Sequence, residues 1–394
     1  MTGVLNGIRV LDFGRYIAGP YCGALLGDFG AEVIRIEQVG GADDRYLIPV
    51  LESGEGSMYL NLARNKKAIT LNPTTEEGRE IVRKLVATAD VVVVNIPPQA
   101  LPPMGLDYES LIKTKPDIIL TMVSSFGSGG PLSHKLGFDG IAQAMSGAVY
   151  RSGHPGVPIK TLCSYVDYGT ATTAALGTFA ALMERQKSGK GQIVEGALLM
   201  TAMMFFSQYL MEEAICQYNR EATGNRSPNA APADIFRTKD GWIIVQSIGQ
   251  ALFVRWAKLL GREDLIADPR FKDDISRGDN GEAISKIMAD WCAPRTNAEV
   301  LKLLEDAKVP AAPVNTPLQA MDEAHIKAIG LIETMKYPGS DIDIPIFQAP
   351  IRLSRTPATI RSRAPTLGEH TDEILASIGY GRAEIGALRQ KKCI

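Results

Sequence analysis

The sequence has no marked excess of charge of either sign, no CxxC pair, and no apolar run of the ~20 residues that a membrane-spanning helix needs. With 42 Lys+Arg against 44 Asp+Glu, the net charge of −2 offers no broad basic field for nucleic acid or an anionic membrane. An anionic ligand must therefore be held by a local site. Cys22, Cys163, Cys216, Cys292 and Cys393 are scattered and odd in number, which argues against a disulfide framework or a zinc site and favours a reducing cytoplasm. The start, MTGVLNGIRVLDF, lacks the basic and apolar stretches of a secretory signal. The most apolar segment, Gly196–Leu210, is short and contains Thr201, Ser207 and Gln208, so a buried helix, at a subunit interface or in the core, is expected there.

What is present is an alternation. IRVLDF (8–13), EVIRIE (32–37), DVVVVN (90–95) and DIILTMV (117–123) are short β-branched runs, with QIVEGAL following later. Helix-compatible stretches lie between them. In TTEEGREIVRKLVATA, Thr74 or Thr75 can cap, and Ile81, Leu85 and Val86 fall at helical spacing. Alternating strands and helices predict an α/β fold, a Rossmann-like parallel sheet covered on both faces. The first strand runs into GRYIAGP and not GxGxxG, so the dinucleotide fingerprint is missing and NAD or FAD is not expected.

Length alone favours two domains or one large one with an insertion. The polar stretch NREATGNRSPNAAPA (219–233) reads as a linker. It precedes a second α/β unit with the strand DGWIIVQSI, the helical stretches ALFVRWAKLLG, GEAISKIMADWCA and NAEVLKLLEDA, and all three tryptophans. The expected division is 1–224 for the large Rossmann-like part, 225–330 for the small domain, and 331–394 for a return to the first.

In SYVDYGTATTAALG, Asp167 precedes a run suited to opening a helix. Alone it reads as a helix cap, an interaction of about 1 kcal/mol. The surrounding segments change that reading. GIRVLDFGRYIAGP, GAEVIRIEQVGGADDR, LNLARNKKAITLN, GFDGIAQAMSG and PTLGEHTDEILASIGY occur in the order seen in the class III CoA transferases. The chain thus resembles the family of formyl-CoA transferase and carnitine CoA-transferase, to which the α-methylacyl-CoA racemases are related.

The resemblance implies an interlocked homodimer of chains with a Rossmann-like large domain and a small domain. It implies acyl-CoA and carboxylic acid as substrates, coenzyme A carried as acyl-CoA, and neither metal nor redox nucleotide. Asp167 matches the nucleophile that forms an aspartyl anhydride and then an aspartyl-CoA thioester, with amides of the Gly169-Thr170 turn as oxyanion donors. Asp139 matches an acidic position beside it, with a plain cap as its other reading. Arg15, Ile17, Ala18, Asn65, Lys66, Lys67, Asn95 and Lys135 sit at or beside positions lining the CoA channel.

Some positions depart from the pattern. Phe138 stands where the racemases have a histidine, and a phenyl ring carries no proton, so the racemase alternative loses half its acid/base pair. VNIPPQALPPMGL replaces an arginine-containing stretch, with Pro97 and Pro103 prominent, which leaves a catalytically silent CoA-binding subunit as another alternative. His134, His154, His325 and His370 lie outside the matched positions, and Met203–Phe206 are expected in the core.

Overall fold

The computed structural model describes residues 3–394. One compact unit comprises the chain up to Ser146 together with Leu162–Tyr209 and Ile329–Ile394; the other comprises Gly147–Thr161 and Leu210–Ala328. The division thus falls within the helix Ser207–Cys216, at the end of the apolar segment and ahead of the polar stretch at 219–233.

The larger unit is built on six parallel strands, β1 (Arg9–Asp12), β2 (Glu32–Glu37), β3 (Lys66–Thr70), β4 (Val91–Val94), β5 (Ile119–Ser124) and β6 (Ile193–Ala197), in the order β3-β2-β1-β4-β5-β6. Strand β3 escaped the sequence reading because it opens on two lysines. Both sheet faces are covered, and for that reason apolar residues predominate in the strands, β4 (VVVV) being apolar throughout. Val10, Val91 and Val93 face one core, with Ala24 of α1 (Ala18–Asp28) and Ala171 and Ala174 of α4 (Tyr165–Ser188). Leu11, Val92 and Val94 face the other, with Ile81 and Leu85 of α2 (Glu76–Ala87) and the C-terminal helices α10 (Thr371–Ser377) and α11 (Arg382–Gln390). Thr75 caps α2, its side chain accepting from the Gly78 N–H.

The apolar segment forms two helices, α5 (Leu198–Phe205) and α6 (Ser207–Cys216), broken at Phe206. Of α5, Leu198, Thr201 and Ala202 are buried, whereas Met203, Met204 and Phe205 are exposed. The expectation that these residues fill the core of the chain is corrected: one face of α5 packs inward, and the rest is apolar surface.

The smaller unit has an antiparallel sheet of β7 (Ala233–Arg237), β8 (Trp242–Gln246) and β9 (Ala311–Pro313), with β8 central. Helices α7 (Gln250–Leu259), α8 (Gly281–Cys292) and α9 (Asn297–Asp306) enclose a core of Phe253, Trp256, Phe271 and Met288. Among the described residues, no helix is long and apolar enough to cross a membrane.

Candidate active site

From β1 the chain winds outward to β2 and β3, then returns to lay β4 on the other side of β1. The loops after β1 and β4 therefore diverge and leave a crevice at the strands' C-terminal ends, where open α/β sheets bind ligands. A cleft with about 960 Å³ of open space lies there. Arg15–Ala18 from the β1 loop and the start of α1, Asn95–Pro98 after β4, Val123–Ser125 at the end of β5 and Leu198 after β6 contribute to its lining, as do Ser133–Phe138 and Asp167.

Hydrogen bonds set the two sides of the crevice. The Arg15 N–H donates to Asn95 Oδ1 at 2.7 Å, and Asn95 Nδ2 donates to the Arg15 carbonyl at 2.8 Å. The Tyr16 N–H donates to Asp44 Oδ2 at 3.1 Å. Glycine lets α1 start this close to β1: a Cβ on Gly19 would sit 2.8 Å from the Gly14 Cα and 3.1 Å from the Asn95 carboxamide. GRYIAGP thus meets by another sequence the close approach that the dinucleotide fingerprint serves.

Within this loop, Arg15 Nη1 donates to the carbonyls of Phe13, Gly14 and Ile36, while Nη2 and Nε have no partner among the described residues. No carboxylate forms an ion pair with it. Burial, and next the neighbouring Arg35, lower its pKa. The N–H groups of Ile17, Ala18 and Gly19 at the start of α1 likewise have no partner among the described residues. A fixed guanidinium with spare donors, beside unpaired helix-start amides, suits an anion such as a phosphate or carboxylate.

Among the described residues, Asp167 is the sole carboxylic acid lining the cleft. It lies in the first turn of α4 and does not cap it; Ser164 is the N-cap residue and makes no side-chain cap bond. Capping comes from another element. Asp139, the first residue of α3 (Asp139–Met145), accepts from the Val166 N–H at 2.8 Å and the Asp167 N–H at 3.0 Å through one oxygen, and from Gln143 Nε2 through the other. Burial, and next the Asp139 carboxylate, push the Asp167 carboxyl up to about 7. Gly169 and Thr170 lie inside α4, where their amides belong to the helix, so they cannot be the expected oxyanion donors. Gly169 has a packing reason instead, because a Cβ there would come within 2.5 Å of the Phe205 ring.

The cleft brings together Asp167, Arg15, Ile17, Ala18, Asn95 and Lys135, with Asp139 buried behind them. Asn65, Lys66 and Lys67 are elsewhere, where β2 and β3 begin, lining a separate hollow with Arg361 and His370. Lys66 is buried, its ammonium 2.7 Å from both Asp12 Oδ2 and the Pro20 carbonyl. Asn65 spends its carboxamide on Asp28, Thr359, Arg361 and Ser362. Lys67 bridges Glu32 and Glu373. These three do not line the cleft, contrary to expectation; their side chains are engaged in these pairings instead. Pro97 lines the cleft, whereas Pro103 is exposed outside its lining. Sequence reasoning missed His134, Ser124, Ser125 and Tyr16, of which the two serines carried a signal in their place at the end of a predicted strand.

The model of CoA-transferase family III matches residues 5–371. The chain belongs to that family. As a family III CoA-transferase, it is 34% identical to the succinyl-CoA–D-citramalate CoA-transferase of Chloroflexus aurantiacus, over 99% of this chain and 98% of that protein. It is 31% identical to the human succinyl-CoA:glutarate CoA-transferase, over 98% of this chain and 88% of that one. A CAIB/BAIF family protein from Brucella suis has the same fold, with a TM-score of 0.84 and 31% identity over 96% of this chain and 100% of that one.

Proposed function

We propose that this CoA-transferase moves CoA from succinyl-CoA, or a similar short dicarboxylic acyl-CoA, to another dicarboxylic acid, with Asp167 as covalent nucleophile. The observation that carries the reading is a single half-buried carboxyl in a cleft whose other ionisable side chains are Arg15, Tyr16, His134 and Lys135. The donor class comes from the relatives, which share succinyl-CoA in their names.

Asp167 attacks the thioester carbonyl, the C–S bond breaks, and a mixed anhydride and CoA thiolate result. The thiolate then attacks the aspartyl carbonyl, giving aspartyl-CoA and the donor's acid. The acceptor carboxylate attacks that thioester to form a second anhydride, and the thiolate takes the acceptor acyl group, restoring Asp167. Each attack develops an oxyanion, for which the unpaired amides of Ile17, Ala18 and Gly19 are the donors; one such donor is worth roughly 3 kcal/mol. Arg15 and Lys135 hold CoA phosphates, Asn95 fixes the Arg15 backbone, and Asp139 positions Asp167 and keeps its carboxyl basic.

The exposed apolar face of α5 suits a second copy of the chain, and the proposed active form is an interlocked homodimer. No disulfide joins the five cysteines among the described residues, which suits a cytoplasmic setting.

The test is peptide mass spectrometry after incubation with a panel of acyl-CoAs in hydroxylamine. A hydroxamate on Asp167 is expected with the true donor and is absent in Asp167→Asn, whose transfer rate falls on the order of 10³-fold or more. Binding of acyl-CoA without modification of Asp167 overturns the mechanism. Turnover by the purified chain alone separates it from a silent subunit, and the absence of solvent deuterium at the α-carbon separates it from a racemase.

A further inference from the structure

Resting on the covalent role of Asp167, the inference concerns what keeps water from the anhydride. Tyr16 from the β1 loop and Phe138 from the loop after β5 meet edge to face, with ring centroids 5.4 Å apart and planes at 87°. Both line the same cleft as Asp167, from different loops. Both are large aromatics left in contact with solvent, Tyr16 at 37% exposure and Phe138 at 61%.

Neither ring is there by slack. Tyr16 has a φ of 60°, an uncommon backbone for a bulky residue, and is held by the Asp44 bond to its N–H and the Asn95 bonds to its neighbour Arg15. The loop carrying Phe138 is closed at its neck by Ser125 Oγ, which donates to the Gly137 carbonyl at 2.8 Å. It is pinned further back by Glu195, which accepts from the Ser128 N–H at 2.6 Å and its hydroxyl at 2.7 Å. Two anchored loops thus present one ring each, and the rings touch.

We propose that Tyr16 and Phe138 form a water shield that commits the Asp167 anhydride to CoA thiolate and the acceptor acid. Water adding to the anhydride carbonyl would break its C–O bond, returning Asp167 as carboxylate and releasing the free acid. With CoA thiolate already formed, the net event would be hydrolysis of acyl-CoA, its protons passing to solvent. Excluding water is how closed sites suppress this side reaction. The ring-edge contact is weak enough to open for substrate.

The experiment compares hydrolysis, read as CoA thiol released from succinyl-CoA without acceptor and corrected for the enzyme-free rate, with transfer to an added dicarboxylic acid. Phe138→Ala is expected to raise the hydrolysis-to-transfer ratio roughly tenfold, equivalent to about 1.4 kcal/mol. Tyr16→Ala raises it likewise, and Phe138→Tyr, which keeps a ring, retains the wild-type ratio. Trapping the Asp167 hydroxamate in each variant confirms that the intermediate still forms in a folded protein. A hydroxamate in Phe138→Ala with an unchanged ratio overturns the shield alone. If the wild type forms no hydroxamate, the covalent reading and the shield fall together.

Discussion

Asp167 is ionisable where ionisation is hard. Its place in the first turn of α4 sets it in a helix dipole that favours the carboxylate, yet burial and the Asp139 carboxylate oppose this and raise its pKa to about 7. Attack requires the ionised form, so the rate of hydroxamate formation should climb with pH through about 7. In Asp139→Asn the midpoint should move down, because one of its two causes is gone. The same shift bears on stability with a definite sign. The folded state binds a proton more tightly than the unfolded chain, so this group favours folding at acid pH and loses that effect as pH rises through about 7. Asp167→Asn should therefore melt above the wild type at pH near 8, and the gap should close towards pH about 4. Lys66 is the contrasting residue. Removing one partner of its buried pair with Asp12 should cost about 3–5 kcal/mol, read as a lower denaturant midpoint of Lys66→Met, with the KM for acyl-CoA unmoved.

Elements were legible in the sequence to unequal degrees. β1, β2 and β4 lie inside the β-branched runs and β5 overlaps the fourth, because a strand buried on both faces is mostly apolar. The helix after Asp167 was equally plain, ending at Gly189 in a left-handed conformation. β3 was not, since a buried lysine is acceptable only when its carboxylate partner, here on β1, is known. The role of Asp139 as the cap of α4 was hidden for a similar reason: residue and helix start are 27 positions apart along the chain. The Asn65–Lys67 cluster looked like a phosphate site because charge is visible in a sequence and the pairing of charge is not.

At the scale of the molecule, the apolar segment decides most. Met200 and Met204 lie one turn apart on α5, exposed at 58% and 71%. An apolar surface of this kind suits the proposed dimer. The proposed dimer predicts that Met204→Glu sediments as a monomer where the wild type sediments as a dimer; a wild type that is monomeric at assay concentration overturns it. The sequence by itself determined the layered α/β sheet, the family and the position of Asp167, because apolar periodicity and ordered motifs are properties of the chain read in line. Tertiary structure alone decided which charged residues face the cleft, which are neutralised in the core, and why a glycine follows Asp167 at two positions' distance. Those depend on neighbours far apart in sequence, and burial, ion pairing and steric approach exist only once the chain is folded.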